Sequence, residues 1–293
     1  RSFSLAMFRL PARATSNGMT LSTRQSMPEG GADMGGRGGS SHRQTAGGTA
    51  AIQTFLQNAY GANHANAVLA ILQNAPAHIR ALWEQYAVQF RATNMRRDEG
   101  AFYSPRDDSV HLHIPSVARG DAISTPYSVL FHEYGHMTDY LIARTHNQGN
   151  YSAYSDLFQG IGSDGKAIIR SGSSGGLLGR TAKDELEGHL ARMRRQNPNL
   201  NRQQAARALV SEANSKYSYR DRSDISDMFE GAGLGIAHPL GAGHGLDYWI
   251  SRGNSREIFA EIISAEAAHP GSLKAIKEYF PRTYQVYQDM MKA

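Results

Sequence analysis

The sequence predicts an α+β fold, in which a small twisted sheet is backed by helices and the C-terminal portion is largely helical. Two observations support this prediction. Residues 49–97 place apolar side chains at helical spacing, with Gly61 and Pro76 between the helices. The run from Val110 to Ile114 instead alternates apolar residues with histidines, which is the pattern of a half-buried strand. We expect this strand at an edge of the sheet.

Helical patterns also occupy most of the chain after this strand. A helix is predicted to start between Ser124 and Pro126, because a hydroxyl group caps free N–H groups and proline suits a first turn. Residues 147–180 are rich in glycine and serine and indicate a surface excursion, which two helices follow within 181–217. A terminal helix is expected to begin near Pro281.

The first 48 residues differ in composition from the rest of the chain. They contain six arginines against two acidic residues, which gives 6 − 2 = +4 of the total charge of +5. Their glycine and serine content predicts a flexible leader, with one domain over residues 49–293. Since that domain is near neutral, a dedicated groove for nucleic acid is not expected.

Composition excludes several classes of site. The chain has no cysteine, so disulfides, thiolate metal sites and cysteine nucleophiles are ruled out. No run approaches the roughly 18 apolar residues that a membrane-spanning helix requires, so no membrane span is predicted. Any metal must therefore be held by histidine, glutamate or aspartate.

The most informative motif is HEYGH, in the middle of the helix predicted after Ser124. His132 and His136 are spaced i, i+4, so both imidazoles lie on one helical face and can bind a single ion. Glu133 sits beside them, where it can act as a general base on a water molecule. Zinc suits this set because it binds neutral imidazoles and keeps one position open in catalytic sites. The motif predicts one zinc ion per chain.

A third protein ligand is expected far downstream, in the segment EIFAE. Glu257 and Glu261 are again spaced i, i+4 on a predicted helix, so one can bind the metal while the other orients a metal-bound histidine. Glu266 is a lesser alternative. His146 is a further alternative, but no glycine in DYLIART turns the chain back towards the motif.

The motifs HEYGH and EIFAE and the tail LKAIKEYFPRTYQVYQD resemble gluzincin metallopeptidases of the anthrax lethal factor type. The stretches DISDMFEGAG and GHGLDYWISRG also resemble peptidase-like domains of Mu-like phage head morphogenesis proteins. The resemblance implies a zincin-like fold, zinc and peptide hydrolysis. It makes Glu257 the third ligand and Glu261 the outer partner of a ligand histidine. By the same resemblance, Tyr248 is the candidate donor to the oxyanion. His244 is a second candidate from its place in the glycine-rich loop GAGHG, where it could line the cleft or assist the oxyanion.

We therefore expect a zinc endopeptidase that acts on a protein or peptide substrate. The substrate would lie along the strand from Val110 to Ile114, and the insertion 147–222 would shape the cleft. The leader, the lack of cysteine and the toxin resemblance favour a secreted bacterial effector or toxin, delivered into a host or competitor cell, with residues 1–48 contacting secretion machinery or a carrier. A phage-associated processing protease and a non-catalytic structural or binding module are the alternatives, and a nucleic-acid-binding role ranks third.

Overall fold

Three helices open the described part of the chain. The computed structural model describes residues 48–97, 100–149, 151–170, 175–251 and 254–293, so the predicted leader lies outside it up to residue 47. The three helices are α1 (Gly48–Tyr60), α2 (Ala62–Asn74) and α3 (Ala77–Tyr86). Gly61 separates α1 from α2 with a φ of 83°, a backbone conformation that glycine adopts without strain. The predicted helices are confirmed up to Tyr86, but the prediction that the helical pattern continues to residue 97 is wrong, because residues 92–94 form a strand.

The sheet has three short strands in the order β1-β3-β2. They are β1 (Ala92–Asn94), β2 (Phe102–Ser104) and β3 (Ser109–Leu112), with β1 parallel and β2 antiparallel to β3. The predicted strand is confirmed up to Leu112, but its predicted position at the sheet edge is wrong: β3 is the central strand, and Ile114 begins the short helix α4 (Ile114–Arg119). Alternation shows only that one face is more buried, and a three-residue neighbour such as β1 leaves little signal of its own.

Two long helices, α5 (Ser128–Thr145) and α11 (Asn254–Ala268), pack closely against each other. The two helices lie close together at Gly135, where a Cβ atom would lie 3.1 Å from the Cα atom of Ala260. The Ser264 hydroxyl donates a buried hydrogen bond of 2.9 Å to the carbonyl of Ser128. Helix α5 begins later than predicted, after Tyr127, whose φ of 64° turns the chain into it.

The segment 147–222 contributes both surface and core. It contains α6 (Tyr154–Leu157), the hairpin strands β4 (Phe158–Ile161) and β5 (Ala167–Ile169), and the predicted helices α7 (Leu177–Gln196) and α8 (Arg202–Lys216). Leu178, Leu186 and Leu190 of α7 are buried in the main core. This segment is therefore an integral part of the described fold.

The last third of the chain completes the core around α11. It contains α9 (Ser223–Gly231), α10 (Leu246–Ser251), α12 (Pro270–Tyr279) and α13 (Pro281–Lys292), and α13 starts where the sequence predicts. Helix α11 packs against α5, α7, α9 and α12 among others. Within the described ranges, no helix has the length and apolar character needed to cross a membrane. The architecture is α-rich with a small mixed sheet, which agrees with the predicted α+β class.

Candidate metal centre

Three side chains from α5 and α11 meet at one point. The Nε2 atoms of His132 and His136 are 3.1 Å apart. Oε2 of Glu257 lies 3.5 Å from the first nitrogen and 3.3 Å from the second. These residues form a potential metal-binding group, and they are the two histidines and the downstream glutamate that the sequence predicts as ligands.

The arrangement fits a tetrahedral zinc ion. Atoms bound to one zinc at roughly 2.0–2.1 Å lie about 3.3 Å apart in a tetrahedron, close to the three separations in this cluster. Oε2 of Glu257 is also buried without a hydrogen-bond partner. A buried carboxylate oxygen without a donor is costly, so this atom is suited to a cation.

Close packing of the two helices produces this convergence. His132 and His136 lie one turn apart on α5, as do Glu257 and Glu261 on α11, so each helix presents a pair of side chains to the other. Gly135 lies next to His136 and has no side chain to hold the helices apart. The site therefore depends on a glycine that is not itself a ligand.

Glu261 lies on the far side of His132 from the potential metal position. Its Oε2 atom is 3.5 Å from Nδ1 of His132, the ring nitrogen that does not face Glu257. Burial, together with the nearby charge of Asp224, raises the pKa of Glu261 to about 8. This position is the one expected of a carboxylate that orients a ligand histidine.

The ionisation of the ligand set is strongly coupled. Burial alone would raise the pKa of Glu257, but the positive charge of His136 and the nearby imidazole of His132 hold it well below its usual range. Burial alone would lower the pKa of His132, but the negative charge of Glu261 and the nearby carboxylate of Glu257 raise it well above its usual range.

The predicted general base and oxyanion donors are also close to this cluster. Glu133 follows His132 directly on α5 and is buried. The Tyr248 hydroxyl donates a hydrogen bond to Oε1 of Glu257, the oxygen that does not face the histidines. The ring of His244 stacks on that of Tyr248, with 4.1 Å between the ring centres.

The lesser ligand alternatives have other partners. Glu266 accepts hydrogen bonds from Tyr284 and Tyr287 and pairs with His78 at 2.5 Å, which ties α11 to α3 and α13. His146 stacks on the ring of Tyr154, with 5.3 Å between the ring centres. Neither belongs to the cluster of potential ligands.

Two functional candidates were missed by the sequence reasoning. Asp227 and Glu230 on α9 are buried and accept hydrogen bonds from the backbone of the glycine-rich loop that contains His244. Asp227 also pairs with Nδ1 of His244 at 3.0 Å. Burial tends to lower the pKa of His244, but the charge of Asp227 outweighs this and raises it to about 9. The signal in the sequence was the i, i+3 spacing of the two acids in DMFEG, directly before the loop.

Comparison of the chain with protein-family models, curated proteins and solved structures gives no match.

Proposed function

We propose that the chain is a zinc-dependent endopeptidase of the gluzincin type, with a zincin-like fold and one zinc ion per domain. The observation that carries this proposal is the meeting of His132, His136 and Glu257 at zinc-like separations, with one buried carboxylate oxygen that has no donor. The glutamate beside the first histidine distinguishes this set from a purely structural metal site.

Each residue has a distinct role in this proposal. His132, His136 and Glu257 hold the metal, and Glu261 orients His132 through Nδ1. When bound, zinc supplies a Lewis acid that polarises the scissile carbonyl and lowers the pKa of water. Glu133 removes a proton from the attacking water and delivers it to the leaving amine.

Tyr248 and His244 are assigned to the oxyanion. The hydroxyl group of Tyr248 and a ring N–H group of His244 are donors beside the ligand cluster, and Tyr248 already donates to Glu257. A donor aimed at the developing negative charge typically contributes about 3–4 kcal/mol to the transition state. In the metal-free arrangement, the tyrosine hydroxyl would have to leave Glu257 before it could donate to the substrate.

We place an extended peptide substrate beside β2. The central position of β3 removes it as a template, whereas β2 lies at an edge of the sheet and packs against α5. An extended chain added at that edge would gain main-chain hydrogen bonds. The biological setting that we propose, a secreted effector or toxin whose first 48 residues contact secretion machinery or a carrier, rests on composition and resemblance alone.

Zinc content tests the proposal directly. Elemental analysis of the purified wild type should give one zinc per chain, and His132→Ala and Glu257→Ala should both lose it. Glu133→Ala should keep the zinc and lose cleavage of a fluorogenic peptide library. A wild type that takes up no zinc after metal loading would refute the proposal and favour a non-catalytic module. Normal cleavage by Glu133→Ala would refute the assigned mechanism.

A further inference from the structure

A glycine-rich loop between α9 and α10, residues 236–245, has several residues in unusual backbone conformations. His238, Gly241, Gly243 and Gly245 all have positive φ angles, of 46°, 90°, 131° and 85°. Such conformations are sparsely populated for a residue with a side chain, so the histidine needs support from its surroundings.

That support comes from one face of α9. Glu230 accepts from the N–H groups of His238 and Gly245, each at 3.0 Å, and so clamps both ends of the loop. Asp227 accepts from the N–H group of His244, also at 3.0 Å. A Cβ atom on Gly243 would come within 2.8 Å of the Glu230 carboxylate and 3.1 Å of the Asp227 carboxylate. The loop therefore wraps directly around the two acids.

Burial of these two carboxylates costs free energy unless hydrogen bonds compensate for the lost water. Asp227 is 8% exposed and Glu230 is 2% exposed. A buried carboxylate is tolerated when hydrogen bonds satisfy it, and both acids accept hydrogen bonds from this loop. The two carboxylates therefore hold the loop in position.

Two routes lead from the acids to the metal centre. Asp227 holds the ring of His244, which stacks on Tyr248, and Tyr248 donates to Glu257. Glu230 holds the N–H group of Gly245, whose carbonyl accepts from the N–H group of Tyr248 at 3.1 Å. Both routes end on the same tyrosine, one at its side chain and the other at its backbone N–H group.

We infer that Asp227 and Glu230 are positioning residues of the zinc site, which act through the loop and Tyr248 to fix the carboxylate of Glu257. With Oε1 bonded to the tyrosine, Oε2 is left facing the two imidazoles, so Glu257 offers the metal one oxygen. This inference rests on the proposed zinc site and goes beyond it, because it assigns control of metal binding to residues that do not touch the metal.

The test measures zinc affinity and the absorption spectrum of the Co²⁺-loaded protein, neither of which needs a substrate. Asp227→Ala and Glu230→Gln should each weaken zinc binding about tenfold in competition with a chromophoric chelator, as loss of an outer partner typically does. Both should change the Co²⁺ spectrum in the same way as Tyr248→Phe. Asp227→Asn keeps an acceptor oxygen and should restore most of the affinity.

A matched control separates positioning from general destabilisation. Glu185 is also a buried carboxylate that accepts from two backbone N–H groups, those of Arg282 and Thr283, but it does so at the start of α13. Glu185→Gln should lower the unfolding temperature and leave the zinc affinity and the Co²⁺ spectrum unchanged.

A double variant tests the route. If the acids act through Tyr248, adding Asp227→Ala to Tyr248→Phe should weaken zinc binding no further than Tyr248→Phe alone. Wild-type affinity and spectrum in folded Asp227→Ala and Glu230→Gln, with zinc still lost in Glu257→Ala, would overturn this inference and leave the proposed function standing. An equal effect of Glu185→Gln would overturn it as well, and a wild type without zinc would overturn both proposals.

Discussion

Replacing Gly135 with alanine should weaken zinc binding although the residue is not a ligand. The added Cβ atom would lie 3.1 Å from Cα of Ala260, 3.4 Å from its Cβ and 3.5 Å from Cβ of Ile263. Carbon atoms prefer separations of about 3.5–4.0 Å, so the contact with Cα is short by at least about 0.4 Å. Because all three of these atoms are backbone or Cβ atoms of α11, relief of the short contact requires α5 and α11 to move apart.

The metal site tolerates less movement than this. Metal–ligand distances are held within about ±0.2 Å, whereas the separation would move Glu257 away from His132 and His136 by roughly 0.4 Å. We expect zinc affinity to fall about tenfold, which corresponds to about 1.4 kcal/mol. The free energy of unfolding should change less than the zinc affinity, because two effects oppose each other. Overpacking costs about 1–3 kcal/mol, whereas alanine is about 0.5–1 kcal/mol more favourable than glycine in a helix.

Competition with a chromophoric chelator and thermal unfolding of the metal-free protein measure the two effects separately. Gly188→Ala on α7 is the matched control, because no atom lies within 4 Å of the Cβ that it would gain. That variant should bind zinc as the wild type does and be slightly more stable. Wild-type zinc affinity in a folded Gly135→Ala protein would refute the argument that helix separation sets the site.

Three further predictions concern pH, a helix cap and the metal. Burial raises the pKa of Asp139 from 3.8 to about 7. The folded state therefore binds the carboxyl proton more tightly than the unfolded state does. The resulting contribution to stability is complete below about pH 4 and is lost as the pH rises through about 7. Asp139→Asn should remove that part of the pH dependence of chemical unfolding, and an unchanged profile would contradict the assignment. Glu185→Ala should cost about 1–3 kcal/mol in urea unfolding, since it leaves the N–H group of Arg282 and the buried N–H group of Thr283 unpaired; no loss would show that water replaces the carboxylate. Free zinc at about 1,000 times its Kd should add about 4 kcal/mol to stability, an increase that a chelator reverses and His132→Ala abolishes.

Local features of the fold could be predicted from the sequence. The i, i+4 spacing of His132 and His136 needs only helix geometry, and so does the spacing of Glu257 and Glu261. The start of α13 follows from Pro281, which suits the first turn of a helix. Each of these inferences uses residues within about two turns of one another.

Non-local features could not be predicted in the same way. The central place of β3 depends on β1, a three-residue strand whose sequence, Ala-Thr-Asn, has little strand character. The buried role of Asp227 and Glu230 depends on a loop that folds back over α9, and acidic residues on a helix usually indicate a solvated face. The glycine and serine content of residues 147–180 hid the contribution of α7 to the core.

Helix α11 has a consequence for how this protein tolerates change. It carries Glu257 and Glu261, and it also supplies fully buried core residues such as Phe259 and Ile262. A substitution on its apolar surface, for example where it packs against α12 or α7, would shift the helix as a rigid unit and therefore move the two carboxylates. Packing defects far from the site would thus lower the metal affinity of this molecule. Selection of variants for tight metal binding alone would therefore also retain the buried core residues of the domain.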